Sequence, residues 1–216
     1  MSDLPRWRRR KGARPAEIAE AALDVFVARG FAAARLDDIA AQAGISKGTL
    51  YLYFASKEDL LKAAITDLFQ FNLDHIEQAI DGYQGKMADL IRLAPIDTMI
   101  DFLNSPIGRL PKLMIAESGN FPDVIRHLFD TGISRALTLY RKILLRGIET
   151  GEFRPVNVNA TAEMIQSQLL FLAVWTHTIA PVADHKIDPA QYIHNFIDVL
   201  LTSLSRPAGA QLEDPS

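Results

Sequence analysis

Two groups of side chains near the start of this chain could bind anions and base edges. The first is a run of cations, Arg6, Arg8, Arg9, Arg10, Lys11 and Arg14, opposed within residues 1–14 only by Asp3. Basic groups at this density suit a mobile arm that seeks phosphates; a solvated tail without a partner is the alternative. The second lies in LDDIAAQAGISKGTLYLYF, residues 36–54, where Lys47, Thr49, Tyr51 and Tyr53 cluster. To project together from one helix, these four need a second helix crossing behind them. A helix-turn-helix requires a small residue where its two helices touch and a glycine where the chain turns. Ala40 and Gly44 stand at those places, and Ile39, Ile45 and Leu50 supply apolar contacts holding the second helix to its neighbours. Lys47, Thr49, Tyr51 and Tyr53 are then left to face outward, the side that would enter a major groove. Tyr51 and Tyr53 as core residues, and Lys47 as a solvated charge, remain open alternatives.

The elements that must position this segment are helical. Residues 15–29 open on Pro15, which fits a first helical position because the amide it lacks has no partner there. Ile18, Ala22, Val25 and Phe26 form an apolar stripe before Gly30, a residue suited to a left-handed stop. Short helices are expected over 36–43 and 47–53. Ser56 with Asp59 forms a capping box for a fourth helix reaching about residue 80. Beyond a break at 81–85, Pro95 should kink or restart the fifth helix, and Asn104, Ser105 and Pro106 should end it. Helices are expected at 109–118 and from Phe121, Pro122 and Asp123 to about 150, with Gly132 a weak point inside and Gly151 a stop. Two more are expected at 159–179 and 188–204. No stretch reads as a β-strand, so the fold class is all-α. The expected division is a basic arm at 1–14, a helix-turn-helix domain at 15–60, a C-terminal helical domain at 61–205 and a flexible tail at 206–216.

The segments AALDVFVARGF, DDIAAQAGISKGTLYLYF and SKEDLL resemble the TetR/AcrR family of bacterial regulators over about residues 15–65. AESGNFPDVIRHLFDTG and RGIETGEFRP resemble more weakly the C-terminal domain of a large, divergent subgroup. The resemblance implies a DNA-binding, ligand-responsive regulator, with Lys47, Gly48 and Thr49 at the start of the recognition helix beside base edges and phosphates. It gives Tyr51 and Tyr53 hydroxyls that reach phosphates, and makes Lys57 a further backbone contact. A helix N-terminus and an ammonium group both favour a phosphate oxygen; Lys57 as a plain solvated charge is the alternative. The chain departs from the family at Ala34 and Arg35, where a Thr or Ser usually caps the second helix and touches phosphate. Arg35 could replace that contact by charge, and the missing cap should cost the helix about 0.5–2 kcal/mol.

Composition narrows the rest. With 216 residues, 49% hydrophobic and 23% charged, the chain can bury a sizeable core. The net charge of −3 hides an asymmetry: residues 1–60 hold ten basic and eight acidic groups, +2, and residues 61–216 hold thirteen and eighteen, −5. Without cysteine there is no disulfide, thiolate zinc site or cysteine nucleophile. His75, His127, His177, His185 and His194 lie too far apart for a recognisable zinc spacing, and no metal site is expected. No phosphate loop, nucleophile elbow or carboxylate pair with a catalytic histidine is present, so no catalytic residues are assigned. No apolar run reaches the roughly 18–20 residues a membrane span needs; a soluble, cytoplasmic chain is expected.

By the same resemblance, Met99, Phe102, Met114, Phe121, Tyr140, Phe171 and Trp175 lie on helices surrounding a ligand cavity, although each could equally be core. Met and aromatic groups suit irregular apolar space, and an apolar or aromatic effector is the default expectation. Glu117, in an otherwise apolar helix, could face that cavity or solvent. The last two helices are apolar on more than one face, with Leu169, Leu170, Leu172, Val174, Ile193, Ile197, Val199 and Leu200, and a two-fold four-helix interface between two copies would cover them. The resulting expectation is a homodimeric repressor of a palindromic operator, released by a small molecule. Two alternatives are a DNA-binding dimer whose C-terminal domain engages a protein partner, and a helical ligand-binding protein or enzyme in which the helix-turn-helix is only packing.

Overall fold

Many helix ends follow the punctuation in the sequence, but Pro106, expected as a stop ahead of a helix at 109, opens the helix Pro106–Glu117, and the helix expected from 121 to about 150 is two helices joined by a π turn. A computed structural model describes residues 15–93, 96–117 and 119–205. The expected basic arm, the flexible tail and the effect of Pro95 lie outside them. The elements are α1 (Pro15–Arg29), α2 (Leu36–Gln42), α3 (Lys47–Tyr53), α4 (Lys57–Gly82), α5 (Met87–Arg92), α6 (Ile96–Asn104), α7 (Pro106–Glu117), α8 (Pro122–Leu128), α9 (Ser134–Glu149), α10 (Val158–Val174) and α11 (Pro189–Leu204). Phe129–Ile133 and Trp175–Ile179 are π-helical turns. Among the described residues no strand forms; Phe153 and Ser205 make one antiparallel bridge. None of the described helices is long and apolar enough to cross a membrane.

The described chain divides into two compact units, one of residues 15–70 with 113–132 and one of 71–112 with 133–205. This differs from the expected boundary at residue 60. The reason is long-range packing: Phe121 meets the Phe31 ring edge-on with centroids 4.5 Å apart. His127 Nε2 lies 2.9 Å from Thr66 Oγ1 and 3.0 Å from the Lys62 carbonyl, while Val124 and Leu128 are buried. Residues 113–132 therefore belong with the N-terminal helices. Nothing local in the sequence signals such a contact across some 60–90 positions.

In the first unit the core is built from Ile18, Ala22 and Phe26 of α1, Ile39 and Ala40 of α2, Leu50 of α3 and Leu60, Leu61 and Ile65 of α4, all essentially buried. Gly30 stops α1 at φ +80, a conformation that disfavours any residue with a Cβ. At Gly132 the close approach of Phe69 explains the expected weak point: a Cβ there would stand 2.9 Å from that ring. Gly132 lies within the π turn Phe129–Ile133.

The second unit packs Met87, Leu103, Leu144, Phe153, Leu172, Ile193, Ile197 and Leu201 into one cluster. Helix ends there are closed by long-range partners. Both carboxylate oxygens of Glu152 accept the Met87 and Ala88 amides at 2.7 Å, capping α5. Arg146 donates to the Ile80 carbonyl at 3.0 Å and to the Tyr83 carbonyl, where α4 ends. Asp74 and Glu77 bind Arg135 and hold its pKa above the ordinary guanidinium value. Asn157 and Asp188 cap α10 and α11 through their side chains. That moves the start of α10 one residue ahead of its expected place.

Candidate nucleic-acid interface

The local chemistry of residues 40–54 fixes one helix with most of its surface in solvent. Gly44, at φ +68, lets the chain turn, and the Ile45 amide donates to the Ala40 carbonyl at 2.9 Å. Ser46 is the N-cap of α3: its Oγ accepts the Thr49 amide at 3.1 Å and lies 2.8 Å from Thr49 Oγ1. This serine-to-threonine spacing was available in the sequence as a helix start, and a capping Ser in place of Ala adds roughly 1 kcal/mol. Leu50 is fully buried and Phe54 nearly so, anchoring the helix to the core. Arg29 pairs with Asp38, tying the end of α1 to α2.

The residues expected to read DNA are placed as follows. Lys47 and Gly48 are exposed, Thr49 is half-buried, and Tyr51 and Tyr53 are 49% and 47% exposed, so neither tyrosine is core. The Lys47 ammonium sits 3.0 Å from the exposed Asp37 carboxylate, an ion pair weak enough in water to yield to a phosphate. Arg35 is exposed and stands at the N-cap of α2 in an extended conformation, with no side-chain capping bond. The cap missing from the sequence is thus missing from the structure.

Lys57 departs from its expected role. Its Nζ donates to the carbonyls of Phe31 at 2.9 Å, Ala32 at 3.1 Å and Ala34 at 3.1 Å, and stands 4.9 Å from the centroid of the Phe31 ring. An ammonium group has three N–H bonds, and all three are engaged in holding the loop between α1 and α2. Lys57 is a structural clamp beneath the reading head rather than a charge held out to solvent. Its position within a helix-opening SKED motif signals a surface lysine, whereas its acceptors lie more than twenty residues earlier, where no spacing rule reaches.

Leu52 was missed altogether. It is 82% exposed, more than either tyrosine. Helical phase could have found it: counting 100° per residue from buried Leu50 places Gly48 and Leu52 together on the outward side.

The eight residues expected around a ligand do not converge within either unit. Met114, Glu117 and Phe121 belong to the first unit, and Met99, Phe102, Tyr140, Phe171 and Trp175 to the second. Glu117 faces neither an open cavity nor solvent. Buried to 9% exposure, its carboxylate accepts the Ala32 amide at 3.3 Å and the Asn120 side-chain amide at 3.2 Å. It therefore grips from α7 the same loop that Lys57 grips from α4. Met114 is core, and Phe121 borders a half-open cleft of about 180 Å³ lined also by Glu58, Lys62, Asn120, Pro122, Asp123 and Val124.

In the second unit Met99 and Tyr140 pack on the core cluster. Burial pushes the Tyr140 phenol up to about 12. Beside it is a void of about 40 Å³ between Leu73, Ile76, Ile80, Ala136, Leu139 and Ile143, far below the few hundred Å³ of a ligand site. Phe102 is half-buried. Phe171 lies 5.9 Å from the Trp175 ring and 5.7 Å from that of Tyr192, with 42% of its surface exposed. Among the described residues, no three His, Asp or Glu side chains are grouped to hold a metal.

An all-helical chain with a glycine-turned helix pair, whose second helix presents Lys, Thr and Tyr side chains to solvent, has the architecture of a helix-turn-helix transcriptional regulator. Residues 18–64 match the model for bacterial regulatory proteins of the tetR family, and residues 93–202 match that for the C-terminal domain of AefR-like transcriptional repressors. The chain belongs to the TetR family and is a DNA-binding transcriptional regulator, not an enzyme. It is 26% identical to the uncharacterized HTH-type transcriptional regulator YfiR of Bacillus subtilis, over 70% of this chain and 73% of that protein. Its fold is similar to that of FadR from Bacillus subtilis, determined in complex with stearoyl-CoA, with a TM-score of 0.74 and 21% identity over 88% of this chain and 100% of that one. It is similar also to the ketosteroid transcriptional regulator KstR2 of Mycobacterium tuberculosis, with a TM-score of 0.64 and 21% identity over 92% and 98% of the two chains.

Proposed function

We propose that the chain is a ligand-responsive repressor that binds a near-palindromic operator as a homodimer and acts in the cytoplasm. The observation that carries the reading is the solvent-facing surface of α3, where Lys47, Gly48, Thr49, Tyr51 and Tyr53 surround a helix anchored by Leu50. In two copies related by a two-fold axis, these helices occupy successive major grooves about 34 Å apart. Lys47 and Arg35 supply charge to phosphates, and the tyrosine hydroxyls supply hydrogen bonds. Support for a homodimer through α10 and α11 comes from the apolar surface those helices leave uncovered, including Met164, Leu170 and Val199 at 65%, 45% and 68% exposure. The effector is an apolar or aromatic small molecule. The long apolar acyl chain of the stearoyl-CoA in complex with FadR supports that chemistry. It requires no cofactor.

Effector binding favours a dimer whose recognition helices no longer match the operator spacing, and linkage makes the antagonism mutual. A coupling of roughly 1–3 kcal/mol changes operator affinity about 5- to 150-fold. The experiment is a titration of labelled operator, selected from random DNA, against a scrambled duplex at rising salt. A specific complex that persists while scrambled binding collapses is the expected outcome, with apolar compounds then screened for release. Equal affinity for both duplexes at every salt concentration would refute the reading.

A further inference from the structure

We propose that Leu52 is a specificity-determining residue that contacts the C5-methyl group of a thymine in each operator half-site, and that Gly48 is what lets it come close enough. The inference rests on α3 being the DNA-reading helix and names one base feature that it reads. Two independent observations on the same helix face carry it.

The first is the glycine. Gly48 lies inside α3 with ordinary helical torsion angles, since only Gly30, Gly44 and Gly151 have positive φ among the described glycines. A Cβ built on it would meet nothing nearer than Ser46 Oγ at 3.9 Å, an ordinary contact. The fold therefore has room for alanine, the better helix former. A glycine where neither torsion nor packing asks for one suits a place where something outside the chain approaches the backbone closely. On this helix the outside partner is the floor of the groove.

The second is the leucine. Four residues after Gly48, and so directly above it on the same face, Leu52 exposes 82% of its surface among neighbours that carry polar heads. An isolated exposed leucine needs no explanation in general. Here it is continuous with the DNA-binding face, where the one apolar feature a base pair presents in the major groove is the thymine methyl. Neither hydroxyl of the flanking tyrosines can make that contact as cheaply, because it would leave a polar group without a partner.

The test uses the full-length protein and an operator selected from random duplexes. Each thymine is replaced in turn by deoxyuridine, which removes only the methyl group. One thymine per half-site should then weaken wild-type binding by about fourfold, the effect of one methyl-sized group leaving water, and the symmetric pair by about fifteenfold. Leu52→Ala, whose fold is safe because the side chain is in solvent, should bind the thymine and uracil operators equally. Gly48→Ala should melt no lower than wild type yet bind every operator more weakly, as expected if the partner and not the fold needs the glycine. Uracil tolerated at all positions by the wild type, a uracil penalty that survives in Leu52→Ala, or a selected consensus without thymine overturns the proposal while operator binding itself stands. If no operator can be selected, the assignment of α3 as the reading helix falls, and this inference falls with it.

Discussion

Lys57→Met separates two roles for one lysine that differ sharply in what they predict. The substitution keeps the length and the apolar stem and removes the ammonium group, which donates to the carbonyls of Phe31, Ala32 and Ala34. Phe31 and Ala34 are buried and Ala32 is exposed, so two acceptors lose a partner that water does not fully replace, while the third is readily solvated. At about 1.5 kcal/mol for each charge-assisted bond to a buried acceptor, the loss is about 3 kcal/mol. For a chain of this size that corresponds to a fall in Tm of about 6–12 °C. The assay pairs thermal unfolding followed by circular dichroism with operator binding measured at several salt concentrations. A clamp lowers Tm and leaves the slope of log affinity against log salt unchanged below the melting range, because no phosphate contact has been deleted. A free phosphate ligand does the reverse: Tm stays within a degree or so, and the slope falls by about 0.9 for each Lys57 removed. The second pattern would refute the assignment of Lys57 to the loop.

Three further outcomes follow from contacts elsewhere. Glu117→Ala removes the part-buried acceptor of the Ala32 amide and should destabilise the reading head by about 1 kcal/mol, seen as faster amide exchange around residue 32; unchanged exchange would mean that the 3.3 Å bond contributes nothing. Gly147→Ala drives a Cβ into the ring of buried Phe153, and an overpacking loss of about 1–3 kcal/mol should appear in denaturant titrations, whereas wild-type stability would show that the ring relocates freely. Tyr140 keeps its proton in the folded chain up to about pH 12, while an unfolded phenol loses it near 10. Between those values the native state binds the extra proton, so stability declines as pH rises; Tyr140→Phe should flatten that decline, and a spectrophotometric titration showing every tyrosine ionising near 10 would contradict it.

The sequence made the helices legible because their ends are written locally. Pro15, Gly30, Gly44, Ser56 and Gly151 each act through torsion or capping within one turn of the chain, and α1, α3, the start of α4 and the end of α9 follow from them. The outward face of α3 was readable from the same kind of information, since the burial of Leu50 fixes the phase of its neighbours. Illegible were the features that depend on distant backbone. The clamp by Lys57, the grip of Glu117 on Ala32 and the capping of α5 by Glu152 each join groups more than twenty residues apart, and a backbone carbonyl or amide carries no residue type by which to recognise it. The two π turns escaped for a different reason: one extra residue in a turn leaves the apolar pattern on either side intact and merely rotates it, so periodicity read across Gly132 blurs without breaking. Leu52 carries no polar head to signal a base or phosphate contact, and only the phase fixed by Leu50 places it on the outward face.

The π turn at Phe129–Ile133 makes chain length at that point a structural parameter in its own right. A π turn holds one residue more than the α turn it replaces, so deleting a single residue there would let α8 run into α9 as uninterrupted α-helix. Every side chain downstream would then swing by about 100° around the helix axis. Arg135 would leave Asp74 and Glu77, Arg146 would leave the carbonyls at the end of α4, and Leu137 and Leu144 would turn out of their cluster together. A point substitution at any one of these positions disturbs that side chain's contacts alone, but a one-codon deletion upstream would misalign all of them at once. Insertions and deletions in this segment should accordingly be far less tolerated than its mixed, half-exposed composition suggests.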